Sequence, residues 1–128
     1  MVSTTEAELG IIKVLALYCH VVDDGEFDRL GEVFDEQGAF IMDGAGPRGL
    51  APLIDHFRVI QAEERRGVHV LSTPHITIDG GRARAVTDIA FYRKRSSGWQ
   101  TSVVGRYIDD LVHTDVGWRI ETRVFTAK

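Results

Sequence analysis

Near Gly67 the hydrophobic period of this chain changes, and that change limits the available folds more than any other feature. Upstream, Ile11, Leu15, Tyr18 and Val22 line one face of a helical run that begins about Glu6 and stops at Gly25. Phe27, Leu30, Val33 and Phe34 predict a short second helix, and Leu50, Leu53, Ile54, Phe57 and Ile60 a third. Between them Ala39 to Met42 reads as a short strand and Asp43 to Gly49 as a turn. Downstream the residues alternate and are rich in β-branched and aromatic types, over Val68 to Ile78, Arg82 to Arg95, Gln100 to Val112 and Gly117 to Thr126. The breaks Asp79-Gly-Gly, Ser96-Ser-Gly and Thr114-Asp115 are short enough to be hairpin turns. Three helices followed by long hairpin strands predict an α+β fold, not an alternating α/β one.

A chain of 128 residues with 44% apolar content fits a single domain, residues 1–128, with a core of ordinary size. Strands this long, apolar on one face, are expected to curl. The expected form is a cone-shaped curved antiparallel sheet wrapped around three N-terminal helices, enclosing a pocket. The uncovered convex face predicts a homodimer or homotrimer through the sheet. A formal charge of −4 with no basic stripe disfavours nucleic acid. No apolar run reaches the roughly 18 residues of a membrane span and no secretion leader is apparent, so a cytoplasmic protein without membrane association is expected. Cys19, the single cysteine, reads as a buried thiol. No H-x-x-x-H or C-x-x-C spacing occurs, and neither a metal nor a cofactor is expected.

The end of the first helix is chemically odd. Asp23 and Asp24 fall in its last turn, where the backbone dipole disfavours carboxylates by roughly 0.3 to 1 kcal/mol. Asp24 reads as a solvated turn residue. Asp23 ends the apolar stripe after Val21 and Val22, so it is the one expected to face inward.

Tyr18 with Val21-Val-Asp-Asp-Gly-Glu-Phe-Asp-Arg-Leu and Phe34, Gly46-Pro-Arg-Gly, His69, Gly105-Arg-Tyr-Ile-Asp and Gly117-Trp-Arg-Ile-Glu-Thr-Arg together resemble the SnoaL-like group of the nuclear-transport-factor-2-like superfamily. The resemblance spans nearly the whole chain. It implies the cone fold; for activity it leaves a wide choice, because the superfamily hosts dehydratases, isomerases, other enzymes, noncatalytic oxygenase subunits and binding domains. The segment Asp23 to Leu30 is similar to scytalone dehydratase, and the placement of acidic groups is similar to the bile-acid 7-alpha-dehydratases, whose working tyrosine, aspartate, histidine and second aspartate match Tyr18, Asp23, His69 and Asp88. Arg93 stands near the place of a second histidine in the scytalone-type enzyme, which argues against that substrate. Ketosteroid isomerase is also similar, through Tyr18 and Asp109, with its base near Met42 or Asp43; a one-residue slip decides which side chain faces inward.

The resemblance therefore implies a cofactor-independent lyase or isomerase, dehydratase-like, acting on a polycyclic, steroid-like or polyketide-like carbonyl compound. In that scheme His69 is base and then acid, Asp23 holds its tautomer, Tyr18 donates to the substrate oxygen, and Asp88 orients a second polar group. Phe40, Met42, Phe57, Tyr107 and Asp109 are the expected pocket residues. His69 could equally be a histidine satisfied by backbone, and Asp88 lies on the strand face opposite Ala85, Thr87, Ile89 and Phe91. Either Asp109 or Asp110 faces inward. The competing reading is a noncatalytic ligand-binding or assembly domain of the same fold, including the small subunit of a ring-hydroxylating dioxygenase.

Overall fold

The computed structural model describes residues 3–128. Helix α1 (Thr4–Asp23) starts at Ser3, whose hydroxyl accepts the Glu6 N–H at 3.1 Å, and is followed by Gly25 in the left-handed region. Its buried stripe is Ala7, Ile11, Val14, Leu15, Tyr18, Val21 and Val22. A 3-10 helix (Phe27–Glu32), strand β1 (Phe34–Met42) and helix α2 (Leu50–Ile60) follow, then a 3-10 turn at Glu63–Arg65 and strands β2 (Val68–Leu71), β3 (His75–Asp79), β4 (Arg82–Arg95), β5 (Gly98–Thr114) and β6 (Gly117–Ala127).

The six strands form one sheet in the order β1-β6-β5-β4-β2, with β3 also on β4. Every pairing is antiparallel except β1 with β6. That parallel contact corrects the second predicted helix: it ends at Glu32, and Phe34 already pairs with Ile120. The single strand expected from Val68 to Ile78 is two. Pro74 has no N–H for the ladder, and Ser72 closes the break by exchanging bonds with Asp88, its own N–H reaching the Asp88 carbonyl while its hydroxyl accepts the Asp88 N–H.

Register shifts at Phe91/Tyr92 and at Asp110/Leu111 bend the sheet around α1. Its concave face presents Ala85, Ile89 and Phe91 of β4, Tyr107 and Leu111 of β5, and Trp118, Ile120 and Phe125 of β6, all buried. Each large apolar side chain taken fully from water there contributes about 1.5–3 kcal/mol before chain entropy is counted. Among the described residues, no helix is long and apolar enough to cross a membrane.

Candidate functional site

Asp23 is the final residue of α1 and His69 the second of β2. Because β2 is the edge of the sheet, the outward N–H of His69 has no strand to bond. Asp23 takes it: Oδ2 accepts the His69 backbone N–H at 2.9 Å, while Oδ1 lies 2.5 Å from His69 Nδ1. Two charge-assisted bonds offset the unfavourable dipole at the helix end. The pair is mostly enclosed, with side-chain exposures of 5% for His69 and 13% for Asp23. With the carboxylate accepting from Nδ1–H, the hydrogen-bond network assigns the neutral imidazole its lone pair at Nε2.

Nε2 is the nitrogen left for a narrow cavity of about 100 Å³, lined by Tyr18, Phe40, Met42, Phe57, His69 and Tyr107 together with Ile60, Gln61, Ile89, Phe91, Val103 and Phe125. The Tyr18 ring is edge-on to His69 at 6.0 Å between centroids and to Tyr107 at 5.8 Å. Burial raises the Tyr18 phenol well above its ordinary value and pushes Tyr107 up to about 12, so both are neutral donors near pH 7.

Under these rings lies Arg123. Its guanidinium is 4.2 Å from the Tyr18 centroid and 3.8 Å from that of Tyr107, and it grips Asp109 through Nε at 2.7 Å and Nη2 at 2.8 Å. Both side chains are fully buried. Burial opposes the Arg123 charge, but the Asp109 carboxylate prevails and its proton is held above the ordinary range. The same burial raises the Asp109 carboxyl against the pull of Arg123. Both carboxylate oxygens lie in the guanidinium fork, the geometry of an ionised pair.

Two of the expected residues, Asp88 and Asp109, stand apart from the cavity. Asp88 does not join Tyr18, Asp23 and His69; it sits on the outer face, where Arg106, its direct neighbour on β5, holds it in a two-pronged pair at 2.7 and 3.3 Å. Arg106 keeps its carboxyl below the ordinary range. Asp109 does face inward, and Asp110 outward to Arg84, but Asp109 lies behind the tyrosines and does not line the cavity. Being tied to Arg123, it is not the free neutral acid of an isomerase. Met42 lines the cavity, whereas Asp43 is exposed in the turn, so the ketosteroid-isomerase scheme, which needs a base at that place, is left without one.

Arg123 is the residue that sequence reasoning missed. Strict alternation from Trp118 and Ile120 puts Thr122 and Val124 inward and Arg123 outward. An extra residue at Glu121, opposite the Asp110/Leu111 step, reverses the parity. His56 is half-buried on Phe40 and Phe57, and burial lowers its ring below the ordinary value. Among the described residues, no group of three or more His, Cys, Asp or Glu gathers as a metal site. A surface groove of about 560 Å³ is edged by Arg82, Arg84, Asp110 and Glu121, which neutralise one another in pairs.

Residues 3–124 match the SnoaL-like domain family. Among solved structures, a protein of unknown function from Mycobacterium tuberculosis, determined as an aspartate-to-asparagine variant, is 27% identical, with a TM-score of 0.85 over 94% of this chain and 70% of that one. A nuclear-transport-factor-2-like protein with a cystatin-like fold from Novosphingobium aromaticivorans is 25% identical, with a TM-score of 0.85 over 96% of this chain and 82% of its own. The beta subunit of a candidate aromatic-ring-hydroxylating dioxygenase from the same organism shares the fold at 16% identity, with a TM-score of 0.80 over 97% and 90%. No functionally curated protein matches the chain.

Proposed function

The chain belongs to the SnoaL-like domain family, and from that premise we propose that it is a cofactor-independent lyase or isomerase, dehydratase-like, for a carbonyl compound. The observation that carries the reading is the Asp23–His69 pair at the wall of an apolar cavity, with the neutral Tyr18 phenol beside it. His69 Nε2 removes a proton from the carbon next to the substrate carbonyl. Tyr18 donates to the oxygen that gains charge, and Asp23 stabilises the imidazolium. The imidazolium then protonates the departing hydroxyl, giving water and an enone, or returns the proton to another carbon, giving an isomer. A cavity of about 100 Å³ is smaller than the roughly 150 Å³ that holds benzene, so it takes only part of a ring. The remainder of a polycyclic substrate would lie across the mouth at Met42 and Ile60.

The test is a screen of hydroxy-ketones followed by conjugated-enone absorbance, comparing the native chain with His69→Ala. Loss of turnover with an unchanged circular dichroism spectrum supports the reading; undiminished turnover removes it.

One observation favours the noncatalytic alternative, a binding or assembly domain: the cavity is well under the several hundred Å³ of most small-molecule sites. Native protein inert across the screen that still binds small aromatic molecules would decide for it. In either case we infer self-association through the outer sheet face. Val70, Ala90 and Val104 form one cross-strand row there, and Val70 and Val104 are about half exposed. Val104→Glu is expected to lower the mass measured by light scattering to that of a monomer.

A further inference from the structure

We propose that Arg66 is the positioning residue of the Asp23–His69 pair, a clamp that fastens the end of α1 to the lead-in of β2 and so holds carboxylate and imidazole at bonding distance. This deepens the proposed role of that pair as the working groups of the site, without depending on turnover for its test.

Neither partner can place itself. β2 is four residues long and bonded to the sheet on one side only, so the residues before it help decide where His69 stands. Asp23 ends α1, and the backbone turns away at Gly25, in the left-handed region with φ 72°. Arg66 lies three residues before His69, and its guanidinium rests on Gly25, two residues after Asp23. A Cβ built on Gly25 would stand 2.4 Å from Cζ and 2.6 Å from each terminal nitrogen. The flat head therefore fills the space that a side chain would take.

The same head makes two further contacts. Its Nε–H donates to the Gln61 carbonyl at 3.0 Å, at the C-terminal end of α2, where the helix dipole favours a cation. Cζ stands 5.6 Å from the centre of the Phe27 ring, at the start of the 3-10 helix. One planar cation thus joins three segments that are far apart in the chain. The turn it rests on is bonded back into α1, the Glu26 N–H reaching the Val21 carbonyl at 2.8 Å, so a shift at Gly25 is passed on to Asp23. At the other end Gln61 and Phe57, one turn earlier, line the cavity. A lysine would supply the charge but not the flat face.

The experiment follows His69 in the free protein by ¹⁵N spectroscopy and amide exchange. In Arg66→Met, which keeps the stem and removes the planar head, the ring should pass from a single Nδ1–H tautomer to a mixture. The His69 amide should exchange roughly tenfold faster while amides of β5 and β6 keep their native rates. Arg66→Lys should stay impaired. Gly25→Asn, which tolerates the left-handed backbone but pushes the guanidinium aside, should reproduce the Arg66→Met spectrum. Added to Arg66→Met it should bring little more, because both act on one contact. An unchanged tautomer and exchange rate in Arg66→Met, acceleration spread evenly over every strand, full recovery in Arg66→Lys, or additive effects in the double variant would overturn the proposal. If Arg66→Met does not fold, Gly25→Asn decides alone. A displaced His69 in Arg66→Met, with the native chain inert in the enone screen, would sink the catalytic reading and leave the clamp in place.

Discussion

Asp23 and His69, 46 positions apart, are joined twice, through the imidazole Nδ1 at 2.5 Å and the backbone N–H at 2.9 Å. One carboxylate thus fixes both where the β2 edge lies and how the ring is turned. Asp23→Asn keeps the shape but no longer fixes the tautomer. By analogy with buried Asp–His pairs in hydrolases, turnover should fall by about 10²–10⁴. The ¹⁵N spectrum of His69 should change from a single Nδ1–H tautomer to a mixture. An unchanged spectrum would mean that the carboxylate does not orient the ring.

Asp88→Asn provides the contrast. Its pair with Arg106 is open to water on the outer face, where such pairs contribute little. Turnover and the urea midpoint should match the native chain, and a large loss of activity would restore Asp88 to the site.

Arg123→Leu leaves the Asp109 carboxylate buried without its partner, at a cost of about 3–5 kcal/mol. The double variant Arg123→Leu, Asp109→Leu should recover much of that loss in urea unfolding. If the two single losses simply add in the double variant, the pair is not coupled as its geometry implies.

Alkaline pH should destabilise the fold through the same region. Burial pushes the Cys19 thiol up to about 11 and Tyr107 up to about 12, and raises the Tyr18 phenol well above its ordinary value. The folded values lie above the unfolded ones, so the stabilisation is complete below the unfolded values and is lost as pH climbs toward the folded ones. The urea midpoint should decline from about pH 9 upward. Tyrosinate absorbance from Tyr18 and Tyr107 should appear only with unfolding; an early, reversible rise before any structural change would contradict their burial.

Gly67→Ala should cost about 1–3 kcal/mol by overpacking, because its Cβ meets the Tyr92 carbonyl. As His69 is two residues on, the variant should also disturb the Asp23 contact, seen as faster amide exchange at His69. Native stability would show that β2 does not need its close approach to β4.

Some of this is legible in the chain itself. Side-chain period separates helix from strand wherever the backbone is regular, so α1, α2 and the long strands β4 to β6 lie close to their predicted spans. Asp23 could be singled out because a carboxylate at a helix C-terminus has no local justification. Periodicity fails where the backbone departs from regularity: at Ser72–Pro74, which divides one predicted strand in two, and at Glu121, which turns Arg123 inward.

The sequence by itself determined the α+β order and the residue types available to a site, since helical and extended periods are local properties of neighbouring side chains. Tertiary structure alone decided which polar groups meet. It turned Asp88 out to Arg106, placed Arg123 beneath two tyrosines and brought Asp23 to an edge strand with an unused N–H. Sheet curvature and a one-residue bulge set those meetings, and both arise from packing between segments far apart in the chain.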